Sequence, residues 1–172
     1  MFKSLNEFKT LRDKVTKDLV WQPIKTPIIF EILSKLGFFF YWIFDNIQIL
    51  ASIKFLNADA NHHLKMASTS WVIGLIFGLA KNVWDLMQLF NQKSKETNLE
   101  ITDEKSKRSD SKINFLILKT LTEISGKLGD LLGALNGSGI PQKLFGKGFS
   151  DGLVGIGGLW ASIVSLWVAY LK

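Results

Sequence analysis

Hydrophobic and polar positions divide the chain into apolar runs separated by polar breaks. The plainest run is FSDGLVGIGGLWASIVSLWVAYL, Phe149 to Leu171, with one formal charge, Asp151, near its start. At about 1.5 Å rise per residue it reaches roughly 34 Å as a helix, enough to cross a hydrocarbon core of about 30 Å with some tilt. It offers no polar face of the kind a soluble helix keeps toward water. Lys147 and Lys172 bracket it, and Trp160, Trp167 and Tyr170 supply the amphipathic aromatics that favour an interface.

A second unit runs from Ile28 to about Leu56, and its core LGFFFYWIFDNIQILASIKFL from Leu36 is also long enough to span. Asp45 and Asn46 fall near the middle of that core, where contact with lipid is costly, so they must face protein, water or a partner helix. Three readings stay open for the pair: fixing helix contacts, proton or ion transfer, or a shallow, partly re-entrant helix. Lys54 can snorkel and does not forbid insertion. Met66 to Phe90 is a third helical unit; Gly74 and Gly78 form a GxxxG step that leaves a track for close helix approach, and Lys81 and Asp85, four apart, share one face.

Two units are amphipathic. In Met1 to Val20, Phe2, Leu5, Phe8, Leu11, Val15 and Leu19 recur at steps of three and four, while Lys3, Lys9, Arg12, Lys14 and Lys17 take the other directions. The pattern suits a helix lying on a membrane, with Leu5, Phe8, Leu11, Val15 and Leu19 in lipid and Arg12 and Lys17 among headgroups. It also suits a helix docked on protein; Glu7, Asp13 and Asp18 argue against a transit peptide. Pro23 and Pro27 then break the helix. In Ile113 to Asn136, Phe115, Leu118, Leu121, Ile124, Leu128, Leu131 and Leu135 recur at helical spacing, with Lys119, Thr122, Glu123 and Lys127 on other faces. Gly126, Gly129, Gly133 and Gly137 add a small-residue track that brings backbones together in lipid. Gly137, Gly139 and Pro141 end this unit, and Gln142 to Gly148 makes a basic turn into the last helix.

Residues 91–112, NQKSKETNLEITDEKSKRSDSK, read as a surface linker because six basic and five acidic side chains leave too little apolar material for a core. Four parts follow: 1–27, an amphipathic helix and proline break; 28–90, a first membrane-associated pair; 91–112, the linker; and 113–172, a glycine-rich helix and a transmembrane helix. The expected fold is all-α, an integral membrane helical protein with two to four membrane-associated helices and an N-terminal amphipathic helix. Basic residues flank several segments at both ends, so charge does not choose an orientation.

Composition supports a membrane protein, with 47% hydrophobic residues against 21% charged. The net charge of +6 raises nucleic acid as a partner, but the lysines are dispersed beside apolar helices, which makes anionic lipid headgroups the fitting counterpart. The chain has no cysteine, which excludes disulfides and thiolate catalysis. His62 and His63 are adjacent and point about 100° apart on a helix, outside any HExxH arrangement, so no metal is expected. No nucleophile, base and acid stand in a catalytic pattern and no phosphate loop occurs; the reading is non-enzymatic, without cofactors.

The ordered pieces LSKLGFFFYWIFDNIQILASIKFL (Leu33 to Leu56), NVWDLMQLF (Asn82 to Phe90), KLGDLLGALNGSGI (Lys127 to Ile140) and DGLVGIGGLWASIVSLW (Asp151 to Trp167) resemble the peroxisomal membrane protein 11 (peroxin 11) family. The resemblance implies membrane-associated helices, self-association, and elongation of the peroxisomal membrane before fission. Only 44 residues precede Asp45, so it also implies a shortened N-terminal region. Helix packing is expected at Asp45, Asn46, Gly74, Gly78, Gly129, Gly133, Gly137, Gly152, Gly155 and Trp160. The expected partners are anionic membrane lipids together with a second copy or other membrane subunits. Two alternatives stand beside this reading: an accessory subunit of another organellar complex, including one of the mitochondrial inner membrane, and a small-solute channel using Asp45.

Overall fold

A computed structural model describes Lys9, Arg12 and residues 26–97 and 104–170. Five helices account for nearly all of 26–97 and 104–170: α1 (Thr26–Ser52), α2 (Ala60–Thr97), α3 (Glu104–Ser138), α4 (Ile140–Phe145) and α5 (Asp151–Tyr170). No strand occurs among the described residues. Consecutive long helices pack against each other, α1 on α2, α2 on α3 and α3 on α5, each pair antiparallel. Pro27–Ser52, Ala60–Lys95 and Asp151–Tyr170 are each long and apolar enough to cross a membrane.

Local chemistry sets the helix ends. Pro27 occupies the first turn of α1, where its missing N–H would lack an intrahelical partner anyway. α1 stops at Ser52 through a Schellman arrangement: Phe55 N–H donates to Leu50 O at 2.9 Å and Lys54 N–H to Ala51 O at 3.0 Å. Lys54 carries the left-handed backbone (φ 59) that this closure requires and that glycine usually supplies. The expected span to Leu56 is therefore shortened, and Asp45 lies two turns from the helix end rather than at mid-span. Asp59 Oδ1 accepts the N–H groups of Asn61 (2.9 Å) and His62 (3.2 Å), an N-cap that starts α2 and draws both histidines into its first turn. Gly139 (φ 75) and Gly146 (φ 73) bound α4. Most of the charged stretch 91–112 is helical, since α2 runs on to Thr97 and α3 begins at Glu104.

The core is thin and built from small side chains. Its buried apolar residues include Ala51, Ala67, Ala134 and Ala161, and Leu75 is the large side chain most fully enclosed. Val72, Leu75 and Ala134 form the buried cluster, with Phe38, Trp71, Leu131 and Leu135 packed against it. Large apolar side chains point outward instead, among them Ile29, Phe40, Ile76, Met87, Leu118, Ile156 and Leu166. A water-soluble bundle would bury these; helices packed in lipid gain nothing by doing so and instead bring small residues together.

Helix α3 divides its apolar side chains between core and surface. Phe115, Leu118, Leu121 and Leu128 are exposed, Leu131 and Leu135 pack against the buried cluster, and Glu123 and Lys127 turn toward α2.

Candidate functional site

Three seams hold the helices together, and the functional surface is what they leave facing outward. In the α1·α2 seam Gly37 meets Gly74: a β-carbon added at Gly37 would stand 2.5 Å from Gly74 N and 2.6 Å from Gly74 Cα. Because both obstructing atoms are backbone, no side chain can move aside and only glycine permits the crossing. Ser34 Oγ donates to Gly74 O at 2.7 Å, and Gly78 leaves room for the Ser34 hydroxyl. Aromatic pairs flank the crossing: Phe30 with Phe77 at 6.4 Å and Tyr41 with Trp71 at 5.2 Å between ring centroids.

The α3·α5 seam is built the same way. A β-carbon at Gly129 would stand 2.5 Å from Gly157 O, and one at Gly126 would meet the Val164 side chain at 2.7 Å. Trp160 Nε1 donates to Ser125 Oγ at 3.3 Å while half of the residue stays exposed, and Asn136 Oδ1 accepts Phe149 N–H at 2.9 Å where α5 is approached.

The middle seam, α2·α3, carries charge. Asn82, only 4% exposed, accepts from Lys127 Nζ at its Oδ1 (3.0 Å) and donates from its Nδ2 to Glu123 Oε2 (3.4 Å). Glu123 and Lys127 are four apart on α3, so one amide on α2 clamps an acid and a base on the same helix face. Lys127 also reaches Gly78 O at 3.4 Å, and Gly137 is pressed against Ser68. Beside this network a cavity of about 310 Å³ brings Glu123, Lys127 and Asp130 opposite Phe38, Leu75 and Val164.

Gly74, Gly78, Gly129 and Gly137 thus lie in seams. Gly133 is in ordinary contact with Val154 and Trp71, and nothing lies within 4 Å of a β-carbon placed at Gly152 or Gly155. Gly157, not singled out in the sequence, makes the close approach on α5 instead. Asn46 donates to Trp42 O within its own helix. Asp45 is half-buried and does not line the polar cavity. Lys81 and Asp85 pair at 2.5 Å. Of the N-terminal lipid-contact candidates, Arg12 is helical and exposed; Leu5, Phe8, Leu11, Val15, Lys17 and Leu19 lie outside the described residues.

The sequence also passed over Gly37, Ser34 and Asn82. Gly37 is a lone glycine in an aromatic run with no repeat to mark it. Asn82 carried a usable signal, an amide following an apolar run in α2, with a Glu-x-x-x-Lys pair available on α3.

No group of metal-ligating side chains forms among the described residues. Together with the outward apolar belt, the three span-length helices make an integral membrane bundle whose lipid-facing surface is its largest functional feature. Residues 1–170 match the family model for peroxisomal biogenesis factor 11 (PEX11). The chain belongs to the PEX11 family. No curated protein and no solved structure matches it. Family membership makes this a non-enzymatic, membrane-organising protein of the peroxisomal membrane, and it gives no support to the mitochondrial alternative.

Proposed function

We propose that this PEX11-family protein elongates the peroxisomal membrane by coupling shallow lipid insertion of its N-terminal segment to self-association of the helical bundle. The observation that carries the reading is the inverted bundle, with large apolar side chains outward and glycine, alanine and serine inward. Such a body is anchored in lipid, and the basic, apolar-periodic pattern of residues 1–20 suits a helix that expands one leaflet beside it. Clustering of copies would concentrate that asymmetry into curvature. No bond chemistry is involved.

The test is reconstitution of the full chain into vesicles, read by electron microscopy together with chemical cross-linking. Wild type is expected to draw vesicles into tubules and to cross-link with itself, and a Leu11→Asp, Val15→Asp double substitution to stay inserted while tubules are lost. Vesicles that keep their shape with wild type overturn the reading. A second reading, a polar path for small solutes, is favoured by the cavity at Glu123, Lys127 and Asp130. Flux through the vesicles that vanishes in Asp130→Ala with helix content intact would carry it.

A further inference from the structure

A second cavity, of about 610 Å³, opens at the end of the bundle where α2 begins and α3 passes into α4. Its size falls within the range of small-molecule sites. Lys65 on α2 and Lys143 on α4 line it, and no aspartate or glutamate does. Neither ammonium has an ion-pair or hydrogen-bond partner among the described residues.

The polar groups around the lysines point to the same ligand class. Asn136 accepts Phe149 N–H at its carbonyl oxygen, and its side-chain NH2 remains available as a donor. Ser70 and Gln142 add a hydroxyl and an amide. The wall is therefore rich in positive charge and donors, which fits a compact anion with several acceptor oxygens. Thr69 and Ser138 contribute little, since each turns its hydroxyl hydrogen to a carbonyl of its own helix.

The surroundings say what carries that anion. Leu144 and Phe145, next to Lys143, are each 70% exposed, and Ile53 and Phe55 project from the α1–α2 loop at the same end of the bundle. Exposed apolar tips beside lysines belong at the boundary between headgroups and acyl chains, which sets the cavity at phosphate depth. We propose that this cavity binds the phosphate of an anionic phospholipid headgroup, with Lys65 and Lys143 as its charged contacts. The proposal requires only that the bundle spans the membrane, so it stands or falls separately from the elongation activity.

The test uses the full chain in neutral-detergent micelles, titrated with short-chain phosphatidic acid, short-chain phosphatidylcholine and inorganic phosphate, with bound lipid read by native mass spectrometry. Phosphatidic acid is expected to bind in preference to phosphatidylcholine. A Lys65→Gln, Lys143→Gln double substitution should weaken that binding roughly thirtyfold, on the scale of two basic residues at an anionic surface. Lys95→Gln with Lys112→Gln, two exposed lysines at the opposite end, should change it by less than about twofold. Lys65→Arg with Lys143→Arg, checked for helix content by circular dichroism, should retain it. Equal losses in the two glutamine pairs would mean diffuse attraction and overturn the site. Inorganic phosphate binding as tightly as the lipid would also overturn it, by assigning the cavity to a soluble anion.

Discussion

The outer seams and the middle seam of this bundle solve the same problem by different physics. Gly37 against Gly74 and Gly129 against Gly157 bring backbones together, with packing as the main attraction. Between α2 and α3 an amide, a carboxylate and an ammonium share hydrogen bonds in an otherwise apolar setting. Steric seams tolerate no added atom, because the obstruction is main chain. The polar seam tolerates changes of size but not the loss of a partner, which would leave a charge unpaired in a medium that cannot solvate it. Close packing fixes how near the helices come, and the polar clamp fixes their register.

The hardest blow to that distinction is steric. Gly37→Leu should cost about 3 kcal/mol or more, because the side chain has no direction in which α2 can yield; thermal unfolding in detergent, followed by circular dichroism, measures it. If the protein keeps its midpoint, the α1·α2 seam is looser than its geometry. Asn82→Leu comes next, at about 2 kcal/mol, since Glu123 loses its partner on α2 and Lys127 keeps only the longer bond to Gly78 O. A double-mutant cycle of Asn82→Leu with Lys127→Met separates the clamp from bulk polarity, with an expected coupling of about 1 kcal/mol.

Ser34→Ala sharpens the comparison from the other side. It removes the hydrogen bond to Gly74 O while leaving the glycine crossing intact, and should cost only about 0.6 kcal/mol, as interhelical bonds in membranes average. A loss as large as that from Asn82→Leu would make the outer seam polar in character too. The smallest effect is expected at Gly133→Ala. Its β-carbon would meet its nearest neighbours at 3.9 to 4.0 Å, so the gain in helix propensity should leave stability unchanged or raised by less than about 1 kcal/mol. Lys54→Gly, which relieves a left-handed lysine at the end of α1, belongs to neither seam and serves as the reference for a purely local gain.

Much of the architecture was legible in the residues. The apolar runs predicted the three span-length helices, and the ordered motifs predicted the family to which the whole chain belongs. Helix ends were less legible. A lysine took the left-handed position after Ser52, where a glycine would have announced the stop. The candidate packing residues divide for a related reason. A glycine is visible in a sequence, but its neighbour is not, so Gly152 and Gly155 looked like Gly129 until the rotation of α5 presented Gly157 to α3 instead.

By itself, the sequence determined that this chain is helical and apolar along several helices, without cysteine, and of the PEX11 family. Periodicity and composition belong to each segment alone and survive without knowledge of any partner. Only the tertiary structure decided which face of each helix turned inward. That choice depends on the side chains the adjoining helix presents: α3 turns Glu123 and Lys127 to Asn82 and packs Leu131 and Leu135 on the buried cluster, while Leu118, Leu121 and Leu128 stay outside.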